Sequence, residues 1–447
     1  MSEEITKDFK RIAPKRWKRY PRYKDSGVEW IGEIPTNWRV YRLKELAKIN
    51  PSKTEKNHLP DDLEVSFVPM ESIGEYGGIS GAEAKKLLDV KQGYTYFAEG
   101  DLIVAKITPC FENYKGAIAS DLVNGIGFGT TELFVLRPNE RSDSRYLFYV
   151  SISKAFRETG SKIMHGAAGQ KRITVDFINN YPVALPKPEE QSQIVGFLDE
   201  TLKRVDSLIT KKHRLIELLK EKRAAIITRA VTKGLDPNAP MKDTGVEWIG
   251  EMPKHWRILK TKHVTNLRNI KQVNSDKSER YVGLENVESW TGLLLSTTDP
   301  ESLSGDCLEF RQGDVLFGKL RPYLAKAWQA DFSGFCSGEF MVLEPKKVIG
   351  MYLVCLLRNP NFIDFVDSLT YGVKMPRLSP EQFMNLEIPF PDNNEQEKIA
   401  SFIREETSKL DSFISKIEKS IELLKEYRSA LITAAVTGKI DVREEVP

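Results

Sequence analysis

The sequence predicts an α+β protein: two mixed α/β domains joined by two long helices packed as an antiparallel coiled coil, with an internal pseudo-two-fold repeat. Three observations predict it. Residues 25–38 (DSGVEWIGEIPTNW) and 243–256 (DTGVEWIGEMPKHW) are identical at ten of fourteen positions, at an offset of 218. Residues 191–232 match 396–437 at 21 of 42 positions, at an offset of 205. Between these segments the halves diverge, keeping short echoes such as Gly100-Asp101-Leu102-Ile103 against Gly313-Asp314-Val315-Leu316. A repeat unit of about 200 residues is a duplicated domain, since solenoid repeats run at roughly 20–50.

In chain order, residues 1–24 read as a basic N-terminal tail. Between 7 and 24 stand Lys7, Lys10, Arg11, Lys15, Arg16, Lys18, Arg19, Arg22 and Lys24 with Asp8 as the only acid, interleaved with Trp17, Tyr20 and Tyr23. Two readings stand side by side, a phosphate-binding arm and a solvated leader with no specific task. Residues 25–188 form the first domain. Its short apolar runs at Val65–Val68, Asp101–Lys106 and Glu132–Leu136, punctuated by Gly, Pro and Asn, read as strands, and Tyr146–Phe156 reads as a helix.

Residues 189–233 read as one long helix. Ile194, Leu198, Leu202, Val205, Ile209, Ile216, Leu219 and Ile227 recur at helical spacing with charges between them, after Pro186 and Pro188 and the acidic pair Glu189-Glu190. A stripe of that length needs a cover of matching length, and the second copy is the available one. The helices either brace the chain internally or offer two equivalent surfaces to a partner. A linker at 234–242 leads to the second domain at 243–393, with strands at Val315–Phe317 and Phe340–Leu343 and a helix at Tyr352–Leu357. The second long helix follows at 394–438, then a tail at 439–447.

The composition is that of an ordinary globular chain: 447 residues, 40% hydrophobic, 29% charged, net charge +3. So small an excess makes any basic surface local. No apolar run approaches the ~18 residues of a membrane span and the N-terminal stretch is charged, so a cytoplasmic home is expected. Cys110, Cys307, Cys336 and Cys355 lie far apart and the five histidines form no ligand-like cluster, so neither disulfide framework nor metal site is expected.

Enzyme signals are weak. Gly313–Lys319 has the look of a phosphate loop, but Leu320 stands where Ser or Thr must bind magnesium. Asn359-Pro360-Asn361-Phe362 lacks the second proline of an amino-methyltransferase loop and reads as a helix-breaking turn. Asp61 with Glu83 and Lys85 has loose nuclease spacing and no counterpart in the other half. The chain reads as non-catalytic. Basic residues instead gather at turns, where recognition residues usually sit: Lys106, Lys171, Arg172, Lys319, Arg321, Lys374 and Arg377 are the candidates for DNA contact. Arg172 and Arg377 align at the 205 offset. Each is either a base or phosphate contact or a structural arginine pinning its domain to its helix.

The opening motif GVEWIGEIPxxW, the Gln-led helix ending LLKEKRAAIITRAVTKGL, and their second copies make the chain similar to the specificity subunit of type I restriction-modification systems, over nearly its whole length. The resemblance implies two target recognition domains, each reading one half of an interrupted double-stranded DNA site, and helices that dock two methyltransferase subunits. It also implies restriction/translocase subunits in the complex, with S-adenosylmethionine, ATP and magnesium carried by those partners and none by this chain. The basic leader before Asp25 has no place in that pattern. The alternative is a stand-alone nuclease or methyltransferase with an unrecognised active site.

Overall fold

The computed structural model describes residues 17–56, 58–167, 169–272, 280–297, 307–372 and 374–444. The chain divides into two units: residues 1–211 with 420–447, and residues 212–419. Two long helices, Pro188–Lys233 and Asn393–Val436, each give one half to each unit. The units therefore do not end where the helices begin.

In the first unit, one four-stranded sheet has the order Ala47–Ile49, Leu133–Pro138, Leu102–Ala105, Gly116–Ile118, antiparallel throughout. A second has the order Glu83–Lys86, Glu64–Val68, Ile126–Gly129, Thr95–Ala98, with one parallel pair at its centre. The second unit repeats the first sheet as Thr265–Arg268, Phe340–Pro345, Val315–Gly318, Ala327–Gln329. Its other sheet keeps the central Gly334–Ser337 strand between a parallel and an antiparallel neighbour, but its extra edge strand joins the opposite side. These are the diverged middles of the sequence.

The repeated segments build the base of each unit. In the first, Ile194, Val195, Leu198 and Leu202 of the first long helix pack with Leu431, Ile432, Ala435 and Val436 of the second. In the second, Ile227, Ala230 and Val231 pack with Ile399, Ala400 and Ile403. Each valine, leucine or isoleucine among these contributes about 1.5–3 kcal/mol on burial, and each alanine less. The pairing is antiparallel within each unit: Asp206 meets Arg428 while Glu190 reaches Trp38, against which Gly438 packs. Likewise Arg223 meets Asp411, while Gly234 lies against Trp256 and Glu395. Both glycines end their helices at positive φ, where a side chain is strained, and a Cβ on Gly438 would lie 2.4 Å from Pro35.

Each opening motif is thus a clasp around helix ends. The Trp38 indole donates to Glu190 at 3.0 Å and the Trp256 indole to Glu395 at 2.8 Å. The Tyr146 hydroxyl lies within reach of the Ala184 and Val436 carbonyls, and that of Tyr352 within reach of Pro389 and Val231.

Three readings need revision. Residues 17–24, read as part of a tail, belong to the first unit: Tyr20 is buried, Trp17 meets Phe197 edge-on, and Tyr23–Asp25 pairs with Glu33–Pro35. Residues 1–16 lie outside the described part. The C-terminal tail is likewise packed through Ile440 and Val442, both buried. The single helix expected at Tyr146–Phe156 is two, Ser144–Ser151 and Lys154–Lys162, because Ser153 caps the second by accepting from the Phe156 amide. Among the described residues no helix is long and apolar enough to cross a membrane, and no group of His, Cys, Asp and Glu could hold a metal ion.

Candidate nucleic-acid interface

The seven basic residues singled out by sequence fall into two sets, one per unit, each gathered on a single edge. In the first unit the chain leaves the strand Leu102–Ala105 through Lys106, and the described residues 169–173 fold back onto it. Ile173 donates its amide to the Lys106 carbonyl at 3.0 Å, and Thr108 to that of Lys171 at 2.9 Å. His165 and Arg172 close the loop with a reciprocal pair of backbone bonds. In the second unit Leu378 donates to the Lys319 carbonyl at 2.9 Å, Arg321 to that of Pro376 at 2.8 Å, and Tyr371 and Arg377 close the loop. Lys106, Lys171 and Arg172 therefore share one edge, as do Lys319, Arg321, Lys374 and Arg377.

A carboxylate absent from the sequence reading organises each edge. Glu132 accepts from the Arg172 guanidinium through two bonds of 2.9 Å, and its carbonyl accepts the Lys106 amide at 2.9 Å. Glu339 repeats this with Arg377, at 3.2 and 2.7 Å, and with the Lys319 amide at 2.9 Å. Both guanidinium forks are engaged by that carboxylate, which ties one turn of the domain to another and not the domain to its long helix. Lys106, Lys171, Lys319, Arg321 and Lys374 form no ion pair among the described residues. Lys171, Arg321 and Lys374 are exposed, and Arg321 sits at a φ of +51° beyond the end of the strand.

A polar recess of about 260 Å³ adjoins Lys106, lined also by Asn50, Lys53, Tyr94, Thr95, Tyr96 and Thr131. Polar side chains predominate in this lining beside Pro51 and Leu133, though the Asn50 carbonyl oxygen already accepts from the Val135 amide and the Lys53 ammonium donates to the Lys91 carbonyl. The phosphate-loop lookalike is a turn, a buried strand Val315–Gly318, and the emerging Lys319. Asn359 caps the helix Pro360–Ser368, and the loose nuclease set is spent on exposed ion pairs, Asp61 with Lys91 and Glu83 with Lys85.

The Arg172 guanidinium beside Glu132 holds that carboxyl below the usual carboxylate range. A folded-state value below the unfolded one means the pair stabilises fully above roughly pH 4.3 and is lost as pH falls through the lowered value. Glu132→Gln is expected to match the parent chain in acid and to melt earlier at neutral pH. Thermal unfolding at the two pH values checks this, and an equal deficit at both would assign the loss to packing.

The sequence family described as the type I restriction modification DNA specificity domain matches residues 35–219 and 290–423. The Type I restriction enzyme EcoEI specificity subunit of Escherichia coli is 43% identical over 178 residues, 39% of this chain and 30% of that protein. The EcoAI specificity subunit of the same species matches to the same extent, so the chain spans about 30% of the length of these two relatives. The EcoDI specificity subunit, also of Escherichia coli, is 22% identical over 92% of this chain and 90% of its own. Among solved structures, a chain from work on complex assembly and conformational transition of the type I R-M system superposes with a TM-score of 0.72 at 16% identity, covering 90% of this chain and 98% of its own. The HsdS subunit from Thermoanaerobacter tengcongensis gives 0.55 at 17% identity, over 91% and 98%. At such identities the superpositions speak to the fold, a repeated two-domain architecture with long helices.

Proposed function

Because the chain belongs to the type I restriction modification DNA specificity family, we propose that it is the non-catalytic DNA-reading subunit of such a system, each unit reading one half of an interrupted duplex site. The observation that carries the reading is the duplicated edge: a lysine leaving a central strand, a glutamate pinning an arginine, and a loop bearing further cations, once in each unit. Two copies of one device on diverged sheets suit two different half-sites. The unpaired lysines and Arg321 supply phosphate neutralisation or forked base contacts, and the recess beside Lys106 adds polar readout.

The duplicated helices would present like surfaces to two methyltransferase subunits, and restriction/translocase subunits would join that core. S-adenosylmethionine, ATP and magnesium then belong to the partners, which this chain directs to methylate adenine or cleave DNA. A cytoplasmic setting, where the DNA is, goes with this reading.

The test is exchange. In the assembled complex, replacing residues 258–390 with the matching segment of another family member is expected to change one half of the methylated sequence and leave the other intact. A change in both halves, or none, would refute the assignment of one half to each unit. Alanine at Lys171, Lys319, Arg321 or Lys374 is expected to sort the side chains. A base reader relaxes one position by ~1–3 kcal/mol, whereas a phosphate binder weakens all sequences and lowers the salt slope by about one.

A further inference from the structure

In each unit an ion pair between the two long helices also grips the recognition domain, and it does so at matching positions. Asp206 and Asp411 are related by the 205 offset, and so are Arg223 and Arg428. The first unit pairs Arg428 with Asp206 at 2.8 Å, and the second pairs Arg223 with Asp411 at 3.4 Å. Both arginines are largely buried, and in both Nε is buried with no partner among the described residues. An unmet guanidinium N–H in both copies is a cost that helix pairing alone does not explain.

The rest of each guanidinium meets a loop. Arg428 lies 3.7 Å above the Tyr76 ring, and Arg223 donates to the Trp290 carbonyl at 3.3 Å. Tyr76 and Trp290 occupy the same place in corresponding loops, closed by the bridges Ile73 to Ile79 and Val287 to Leu294. Both are left-handed, with φ of 62° and 66°. A bulky residue in that region is unfavourable unless its surroundings hold it there.

From the loop the contacts run to the turn that carries the basic edge. Tyr76 stacks on Tyr114 at 4.7 Å, and Lys115 donates to the Met70 carbonyl at 2.9 Å. In the second unit Lys326 donates to the Leu284 and Val287 carbonyls, at 2.7 and 2.8 Å, and Arg358 to that of Thr291. Lys106 lies on the same turn as Tyr114 and Lys115, and Lys319 and Arg321 on the same turn as Lys326.

We propose that Arg428 and Arg223 are positioning residues, each setting the pose of the recognition turn in its own unit from the state of the helix pair. The proposal rests on the DNA-reading assignment above. It predicts that a change in the helices alters readout in one half of the site without touching a base-contacting group.

Two measurements on the chain assembled with its methyltransferase partners test it. In the first, methylation of single-base variants is compared between half-sites. Arg428→Lys keeps the charge opposite Asp206 but not the flat face on Tyr76. It is expected to lower discrimination about tenfold at the half read by the first unit and leave the other unchanged. Arg223→Lys is expected to do the converse, and Tyr76→Phe, which keeps the ring, to behave as the parent chain. In the second, hydrogen exchange of the amides at 73–79 and 110–116 is expected to quicken in R428K while 284–294 stays protected. Equal loss in both halves, or unchanged discrimination in a complex that reads DNA, would overturn the proposal. If the parent complex showed no sequence preference the DNA-reading assignment would fail, and the exchange pattern alone would decide the positioning role of Arg428: local quickening sustains it and unchanged protection removes it.

Discussion

Trp38→Ala is expected to destabilise the first unit by about 3–5 kcal/mol, the usual range for deleting a buried large aromatic. Trp38 is fully buried, its indole satisfies the buried Glu190, and its ring receives the helix-ending Gly438. Truncation opens a cavity and strips that carboxylate of its indole donor, leaving it the Asn37 amide at 3.1 Å. Trp256→Ala is expected to do the same to the second unit, where Glu395 keeps a contact with His255 at 3.0 Å. Limited proteolysis during urea unfolding reads the outcome. W38A should expose sites within 17–211 and 420–442 before those within 212–419, and W256A should reverse the order. Simultaneous loss of both units in either variant would show that they unfold as one.

Arg157→Ala is expected to cost about 4 kcal/mol or more, from unmet hydrogen bonds and a cavity together. Arg157 is buried and donates to the carbonyls of Ser151, Phe111 and Lys115, while its guanidinium lies 4.6 Å from the Phe111 ring centre. Burial pushes the group down to about 9, so it stays charged at neutral pH. Arg157→Met restores most of the volume and none of the bonds, and should recover only part of the loss. Denaturant midpoints of the three chains settle it. R157M as stable as the parent would mean that the three carbonyls find other donors. Because Phe111 and Lys115 lie on the turn that begins at Lys106, both variants should also weaken readout by the first unit.

Much of the scaffold was legible because its signals are local or repeated. The opening motif and the long helices announce themselves by identity at fixed offsets, and the strands at Val65–Val68 and Val315–Phe317 by short apolar runs between turn residues. The candidate edge was legible only in its cations. Glu132 and Glu339 stand 40 and 38 residues before the arginines they bind, and no local pattern marks a partner at that distance. The Asp101 and Asp314 echo shows the same limit. Asp101 is met by Arg137, from the strand Leu133–Pro138, whereas Asp314 is met by Arg268, from the strand Thr265–Arg268 at the sheet edge. The two halves keep the ion pair and change the strand that supplies it. Ser153, followed by the Phe156 amide it caps, was a readable stop inside the expected helix, overridden there by the apolar run around it.

The first unit draws on residues 420–442 to finish its core, whereas the second is contiguous from 212 to 419. On a ribosome moving at about 5–20 residues per second, Val442 emerges roughly 10–50 s after Lys211. Through that interval Ile194, Val195, Leu198 and Leu202 stand without the Leu431, Ile432, Ala435 and Val436 that cover them in the finished chain. The segment made first is completed last, so its survival during synthesis depends on how long nascent apolar surface can be shielded, and slow codons between Lys212 and Ser420 would lower the yield of intact chain more than slow codons before Lys211.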